Sequence, residues 1–302
     1  MWQLIILGKI ILGNIGVSLL LKPITRQPGH KKLFVWLFFF SFIFSIIFVI
    51  INGFLKFEPF VFKPTMILIA SLGALSSLAT FCQWRAVEIS QSKFALFQQS
   101  YNFVALPLAY WLLKEGQYLG TGLLIGMLLS LTAAILLVWA GHNRSKQKES
   151  SFNQSNKTLI IWIAFYSIVV GLAVFFNRYF ALNGISLAEF LISWYLGDLI
   201  GASLIYRLSQ KKRIIAQTTV KQIAIVAVIS FLSWSTTFLS YLGAKFIPVM
   251  VSQSIYVISE LVFPVLIGFF VFKEIKGLTR REKIAFVLGA AGAVTIGLTY
   301  RL

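Results

Sequence analysis

Acidic residues are scarce in this chain: nine Asp and Glu among 302 residues, against 27 Lys and Arg. Charged residues of both signs reach only 12%, whereas 58% are hydrophobic and the mean hydropathy is +0.86. A soluble domain needs a charged exterior that this composition does not supply, which excludes soluble multidomain and disordered chains. Cys82 is the single cysteine, so no intramolecular disulfide forms. His30 and His142 are the only histidines, and both fall in polar links. A His-rich metal site or a Ser/His/Asp set inside the apolar segments is therefore excluded, and no metal or cofactor is expected. There is no GxxxxGK[ST] phosphate loop and no room for a soluble nucleotide domain, which argues against direct ATP drive.

What is present is a series of continuous apolar runs about 20 residues long, the length that crosses a bilayer as a helix. They lack the alternation of a β-barrel strand. In lipid each backbone amide must be satisfied within its own segment, so such runs become helices. The net charge of +18 fits nucleic-acid binding poorly, because the basic residues sit in short links and form no basic face. The expected fold is an all-α membrane protein of ten transmembrane helices.

The ten predicted spans run over 2–21, 33–54, 65–84, 93–113, 117–140, 159–177, 186–206, 222–242, 248–272 and 283–300. Lys22-Pro23 is read as the stop of the first, which is a retained helix and not a cleaved signal peptide. The polar stretch 141–158, GHNRSKQKESSFNQSNKT, has no hydrophobic pattern and reads as a flexible linker. It divides the chain into repeats at 1–140 and 159–302.

The two halves are alike. Leu113-Lys114-Glu115 closes the fourth span and Phe272-Lys273-Glu274 the ninth, each after an intrahelical proline, Pro107 and Pro264. A glycine-bearing span follows each, with Gly116, Gly120, Gly122 and Gly126 in one and Gly289, Gly292 and Gly297 in the other. Five spans per half is odd, so the second half crosses in the opposite sense, and inverted repeats of this kind accompany transport. On these features the chain resembles the drug/metabolite transporter superfamily, specifically the EamA-type permeases. That resemblance implies a bacterial inner-membrane permease, often an exporter of amino acids, amines or drugs, frequently driven by protons.

The odd-numbered links carry 20 of the basic residues, the even-numbered links and termini six, and Lys9 lies within the first span. The positive-inside rule then places both termini outside the cytoplasm. The family habit is both inside; the large charge asymmetry favours the first arrangement.

An ionisable group in the bilayer costs about 3 kcal/mol on insertion scales and usually faces a cavity or a partner. Glu260, in the middle of the ninth span, shares a face with Tyr256 and Gln253, and Pro264 loosens the helix one turn on. Asp198 shares a face with Trp194 and Tyr195. The eighth span presents Ser230, Trp234, Thr237 and Tyr241; the third presents Ser76, Thr80, Gln83 and Trp84; the fourth adds Gln98, Tyr101 and Asn102. Together these would line a polar, aromatic cavity for a small amphipathic or cationic solute. The alternatives are a structural hydrogen bond for Glu260, a basic partner for Asp198, and helix-to-helix glue for the hydroxyl stripes. Lys9, with Asn14 about a turn beyond, either snorkels, pairs with a carboxylate or binds an anion. Glu189 reads as interfacial, and Glu115 and Glu274 as structural.

These residues point to a secondary transporter of small metabolites, with substrate and protons as partners and Glu260 or Asp198 as the proton carrier. No enzymatic activity is expected. A flippase for lipid-linked substrates is the alternative, and an intramembrane enzyme a more distant one. The glycine faces of the fifth and tenth spans pack either within the monomer or across a homodimer.

Overall fold

A computed structural model describes residues 2–25, 30–56, 62–118, 120–122, 124–126, 128–129, 132–133, 136, 150–209, 218–273 and 280–299. Among them every regular element is helical and no strand occurs. Among the described residues, six helical stretches are long and apolar enough to cross a membrane: Gln3–Thr25, Lys32–Leu55, Thr65–Ile89, Thr158–Leu182, Leu187–Ser209 and Val220–Ala244. Large apolar side chains face outward along these and neighbouring helices, among them Leu4, Ile51, Trp111 and Leu204, while Ser41, Ser45, Ser77, Gln98 and Asp198 are buried. Apolar outside and polar inside is the arrangement that lipid selects and water does not.

The first stretch is α1 (Trp2–Lys9), a π-helical segment (Ile10–Val17) and α2 (Ser18–Thr25). Lys22-Pro23 does not stop it. Pro23 removes one backbone donor, and the helix continues to Thr25. Lys22 is consequently packed inside the fold, 2% exposed, and does not sit in an open link.

Next come α3 (His30–Lys56) and α4 (Thr65–Ile89). The predicted fourth span is not continuous. It consists of α5 (Gln91–Gln98), a 3-10 turn (Gln99–Tyr101) and α6 (Asn102–Leu112). The tightened turn falls on the polar run Gln98-Gln99-Ser100-Tyr101-Asn102, where the Ser100 hydroxyl donates to the Phe97 carbonyl at 2.7 Å and competes with the helical ladder. A second 3-10 turn covers Glu115–Tyr118. The predicted fifth span lies largely outside the described residues.

After it, α7 (Ser150–Leu182) begins inside the stretch read as a flexible linker. Extending an established apolar helix adds one backbone hydrogen bond per residue, so polar residues join it without an apolar pattern to announce them. The remaining elements are α8 (Leu187–Ser209), α9 (Val220–Ala244), α10 (Val249–Leu266) with a π-helical end (Ile267–Val271), and α11 (Arg280–Thr299). Thr219 and Gln222 form a reciprocal capping box at the start of α9.

The chain divides into two compact units, residues 1–84 with 176–246 and residues 85–175 with 247–302. Each draws on both sequence halves, so the packing units are not the contiguous segments 1–140 and 159–302.

In the first unit α3 packs on α8 and α9, and the α1–α2 stretch packs on α9. α4 meets α8 backbone to backbone. A Cβ on Gly197 would overlap the Ala70 carbonyl, one on Gly73 the Trp194 carbonyl, and one on Gly201 the Ser77 hydroxyl and Ala74 carbonyl. The Gly197-x-x-x-Gly201 spacing thus brings two backbones together. In the second unit α10 packs on α5, α6 and α11. There Leu113 and Phe272 end their helices with φ near −95° and −92°, and the next residues, Lys114 and Lys273, both adopt φ 56°. Left-handed backbone suits a helix C-cap, although lysine pays about 1 kcal/mol for it relative to glycine.

Candidate functional site

The second unit holds a polar cluster built around a proline. Pro264 has no N–H to give the carbonyl four residues back, which belongs to Glu260. The Gln98 side-chain amide supplies the missing donor, its Nε2 lying 2.8 Å from the Glu260 carbonyl oxygen. A freed backbone acceptor in an apolar setting is thereby satisfied by a side chain from a different helix.

The same contact draws the 3-10 turn onto α10. Tyr101 Oη lies 2.6 Å from Gln253 Oε1 and 2.9 Å from Glu260 Oε2. Gln253, Tyr256 and Glu260 occupy one face of α10; Gln253 and Tyr256 are buried and Glu260 is half-buried. The side chains of Tyr166 (from α7) and Tyr256 lie within electrostatic reach of the Glu260 carboxyl. Tyr166 is held edge-on against Phe94, with ring centroids 5.0 Å apart.

A small-residue contact lets α7 approach this closely. A Cβ on Gly171 would collide with Val104 and the Tyr101 carbonyl, and Ser167 shares a 2.6 Å hydrogen bond with Ser100. Asn102 Nδ2 donates to Gln99 Oε1 at 3.3 Å, which leaves Gln99 Nε2 and Asn102 Oδ1 buried without a hydrogen-bond partner among the described residues.

Asp198, in the first unit, is placed differently. It is 1% exposed, at the glycine-mediated contact of α4 with α8, with the side chains of Ser76 and Trp194 against its carboxyl. Its Oδ1 has no hydrogen-bond partner among the described residues. Tyr195 turns away, bonding Thr237 Oγ1 at 2.8 Å and the Ser233 carbonyl at 3.3 Å.

Of the other expected cavity residues, Trp84 and Tyr241 are core. Trp84 packs edge-on against Phe34, and Tyr241 stacks on Phe190 with centroids 4.0 Å apart while its hydroxyl donates to the Ile185 carbonyl. Trp194 continues that stack from Phe190 at 5.2 Å. Trp234 Nε1 donates to Ser45 Oγ at 3.0 Å and so ties α9 to α3, whereas the Ser230 hydroxyl bonds back to the Val226 carbonyl within α9. Gln83 is half-buried on α4. Asn14 is buried within the π-helical segment that Lys9 precedes, also in this unit. The apolar sequence pattern cannot separate these roles, because a buried indole reads the same whether it faces a cavity or a core.

At the rim of the first unit, Lys63 Nζ lies 2.6 Å from Glu189 Oε1, and Glu189 Oε2 accepts from the Ser186 N–H at 3.0 Å. Glu115, buried in the second unit, accepts from the Met250 N–H at 3.4 Å, in the first turn of α10.

Tyr166, Ser100 with Ser167, and the Gly73/Gly197/Gly201 contact were not anticipated from the sequence. Only the last had a sequence signal, in the Gly197-x-x-x-Gly201 spacing.

The described elements define a multi-pass helical membrane protein. No family model matches the chain, and no curated protein matches it. The chain is similar to a solved structure described only as the crystal structure of a protein, with a TM-score of 0.66 and 16% identity over 98% of this chain and 96% of that one. At that identity the likeness establishes a shared fold from end to end and carries no activity with it.

Proposed function

We propose that the chain is a proton-coupled secondary transporter of small metabolites such as amines, amino acids or drugs, of the EamA type within the drug/metabolite transporter superfamily. The observation that carries this reading is Glu260. It is a carboxylate inside an apolar helical fold, beside a proline-loosened turn, hydrogen-bonded to Tyr101 with Gln253 on the same hydroxyl. A carboxyl is the group of this cluster able to carry a proton, and the adjoining amides offer donors and acceptors to a solute.

The reading includes ten spans in two inverted repeats, 1–140 and 159–302, in a bacterial inner membrane. Two contacts between helix ends support the count. Glu115 meets Met250 across three long spans and Lys63 meets Glu189 across two; a crossing by the proposed fifth span and one by the broken helix 91–112 would bring both ends of each contact to one side of the bilayer. The matched left-handed lysines, Lys114 and Lys273, support the repeat.

The test is transport in proteoliposomes under an imposed pH gradient, screening amines and amino acids for uptake and for proton counterflow. The expected result is gradient-driven flux in the parent chain and none in Glu260→Gln. Full coupled flux in that variant would overturn the assignment. Reporter tags on both termini settle the orientation, with the charge bias predicting both outside the cytoplasm.

A further inference from the structure

The hydrogen-bond chain Glu260–Tyr101–Gln253 has one hydrogen too few. A phenol carries a single O–H, yet Tyr101 Oη lies 2.9 Å from Glu260 Oε2 and 2.6 Å from Gln253 Oε1, both oxygens. It donates to one and must accept from the other. An amide oxygen never donates. With Gln253 turned this way, Tyr101 therefore donates to Gln253, and the remaining hydrogen comes from a protonated Glu260. When Glu260 is ionised it is acceptor-only, so the Tyr101 O–H must turn towards it. Oη then needs a donor on its other side, and the Gln253 amide supplies one only by rotating half a turn about its last bond to present Nε2.

We propose that Tyr101 converts the protonation state of Glu260 into the orientation of the Gln253 amide, so that the site offers an amide N–H when Glu260 is protonated and a carbonyl oxygen when it is not. The proposal rests on Glu260 as the proton carrier and names how that proton is sensed. One proton adds to Glu260 Oε2, the Tyr101 hydroxyl rotates, the amide turns over, and no other covalent bond changes. In the protonated arrangement Gln253 Nε2 has no hydrogen-bond partner among the described residues, so its N–H is available to an acceptor on a solute. In the ionised arrangement the freed end is Oε1, which receives a donor such as an ammonium group.

The surroundings suit such a switch. Gln98 holds the Glu260 main-chain carbonyl from the other side, so the carboxyl changes state on a fixed backbone. Among the described residues, the titratable side chains brought to Glu260 include Tyr101 from the 3-10 turn, Tyr166 from α7 and Tyr256 from α10 itself. Removing only the Tyr101 hydroxyl therefore separates the sensor from the carrier.

The experiment is infrared difference spectroscopy of the full-length chain in lipid during a pH titration, with glutamine side-chain carbonyls isotopically labelled. A carboxylic-acid C=O band should appear on acidification and vanish in Glu260→Gln. A labelled amide band should shift with the same midpoint and vanish in Gln253→Met. In Tyr101→Phe the acid band should still titrate while the amide band stays still. The proposal falls if the Gln253 band ignores the Glu260 titration in the parent chain, or follows it undiminished in Tyr101→Phe. Absence of any titrating Glu260 band would instead remove the proton carrier, and the transport mechanism with it. The parent-chain measurement decides the matter even where a variant folds poorly.

Discussion

Asp198 and Glu260 looked equivalent as isolated carboxylates in apolar helices, yet their surroundings have little in common. Asp198 sits where two helices touch backbone to backbone, with Gly73, Gly197 and Gly201 removing every side chain that would hold them apart. Glu260 sits where one helix lacks a hydrogen bond, beside another that is broken, among side chains able to trade hydrogens. In the first environment backbone atoms meet directly at the glycines; the second is built from side chains with alternative hydrogen-bond partners. A carboxylate's place in a membrane protein is thus set less by its depth along a helix than by what faces it. If the chain is the transporter proposed above, the need for exchangeable partners favours Glu260 over Asp198 as its proton carrier.

The comparison breaks most sharply at the glycines. Gly197→Leu should abolish recovery of folded, monodisperse protein, because its Cβ would overlap a main-chain carbonyl that cannot yield and the cost exceeds about 3 kcal/mol. A well-folded Gly197→Leu protein would show that the α4–α8 contact is not essential.

The next effect is functional. Glu260→Gln should bring proton-driven flux to background while the protein stays folded, whereas Asp198→Asn should keep most of the flux. The reverse pattern, read in the same proteoliposomes, would exchange the roles of the two carboxylates.

Tyr101→Phe should destabilise the second unit by about 0.6 to 1.7 kcal/mol, the range for interhelical hydrogen bonds in membranes, measured by denaturant unfolding in mixed micelles. No measurable change would mean that the Tyr101 contacts contribute nothing to folding.

The smallest effect belongs to the rim. Lys63 is half exposed, and Lys63→Met should cost less than about 1 kcal/mol despite the 2.6 Å ion pair with Glu189. A larger loss would make that ion pair a principal tie of the first unit.

Much of the helical layout was readable in advance. Six of the ten predicted spans, the first three and the sixth to eighth, coincide with described helices long and apolar enough to cross a membrane, because spanning length is a property of each segment alone. Three departures share one cause. The helix passing through Pro23, the early start at Ser150 and the break at Gln99–Tyr101 all depend on backbone hydrogen bonds, which hydropathy does not register. For the site, Gln98, Tyr101, Gln253, Tyr256 and Glu260 were anticipated as polar residues on helical faces, and they do meet. Trp84 and Tyr241 belonged to the same anticipated set and are core, since aromatic residues at helical spacing satisfy either role.

What the sequence determined by itself is the solvent and the building block: apolar segments of spanning length, helical because lipid offers their amides no other partner. Tertiary structure alone decided which polar groups meet. Tyr101 and Gln253 are 152 residues apart, and Pro264 leaves a carbonyl that only a side chain from another helix can satisfy. Hydropathy is a sum over one segment, whereas a hydrogen bond between helices depends on how two segments approach.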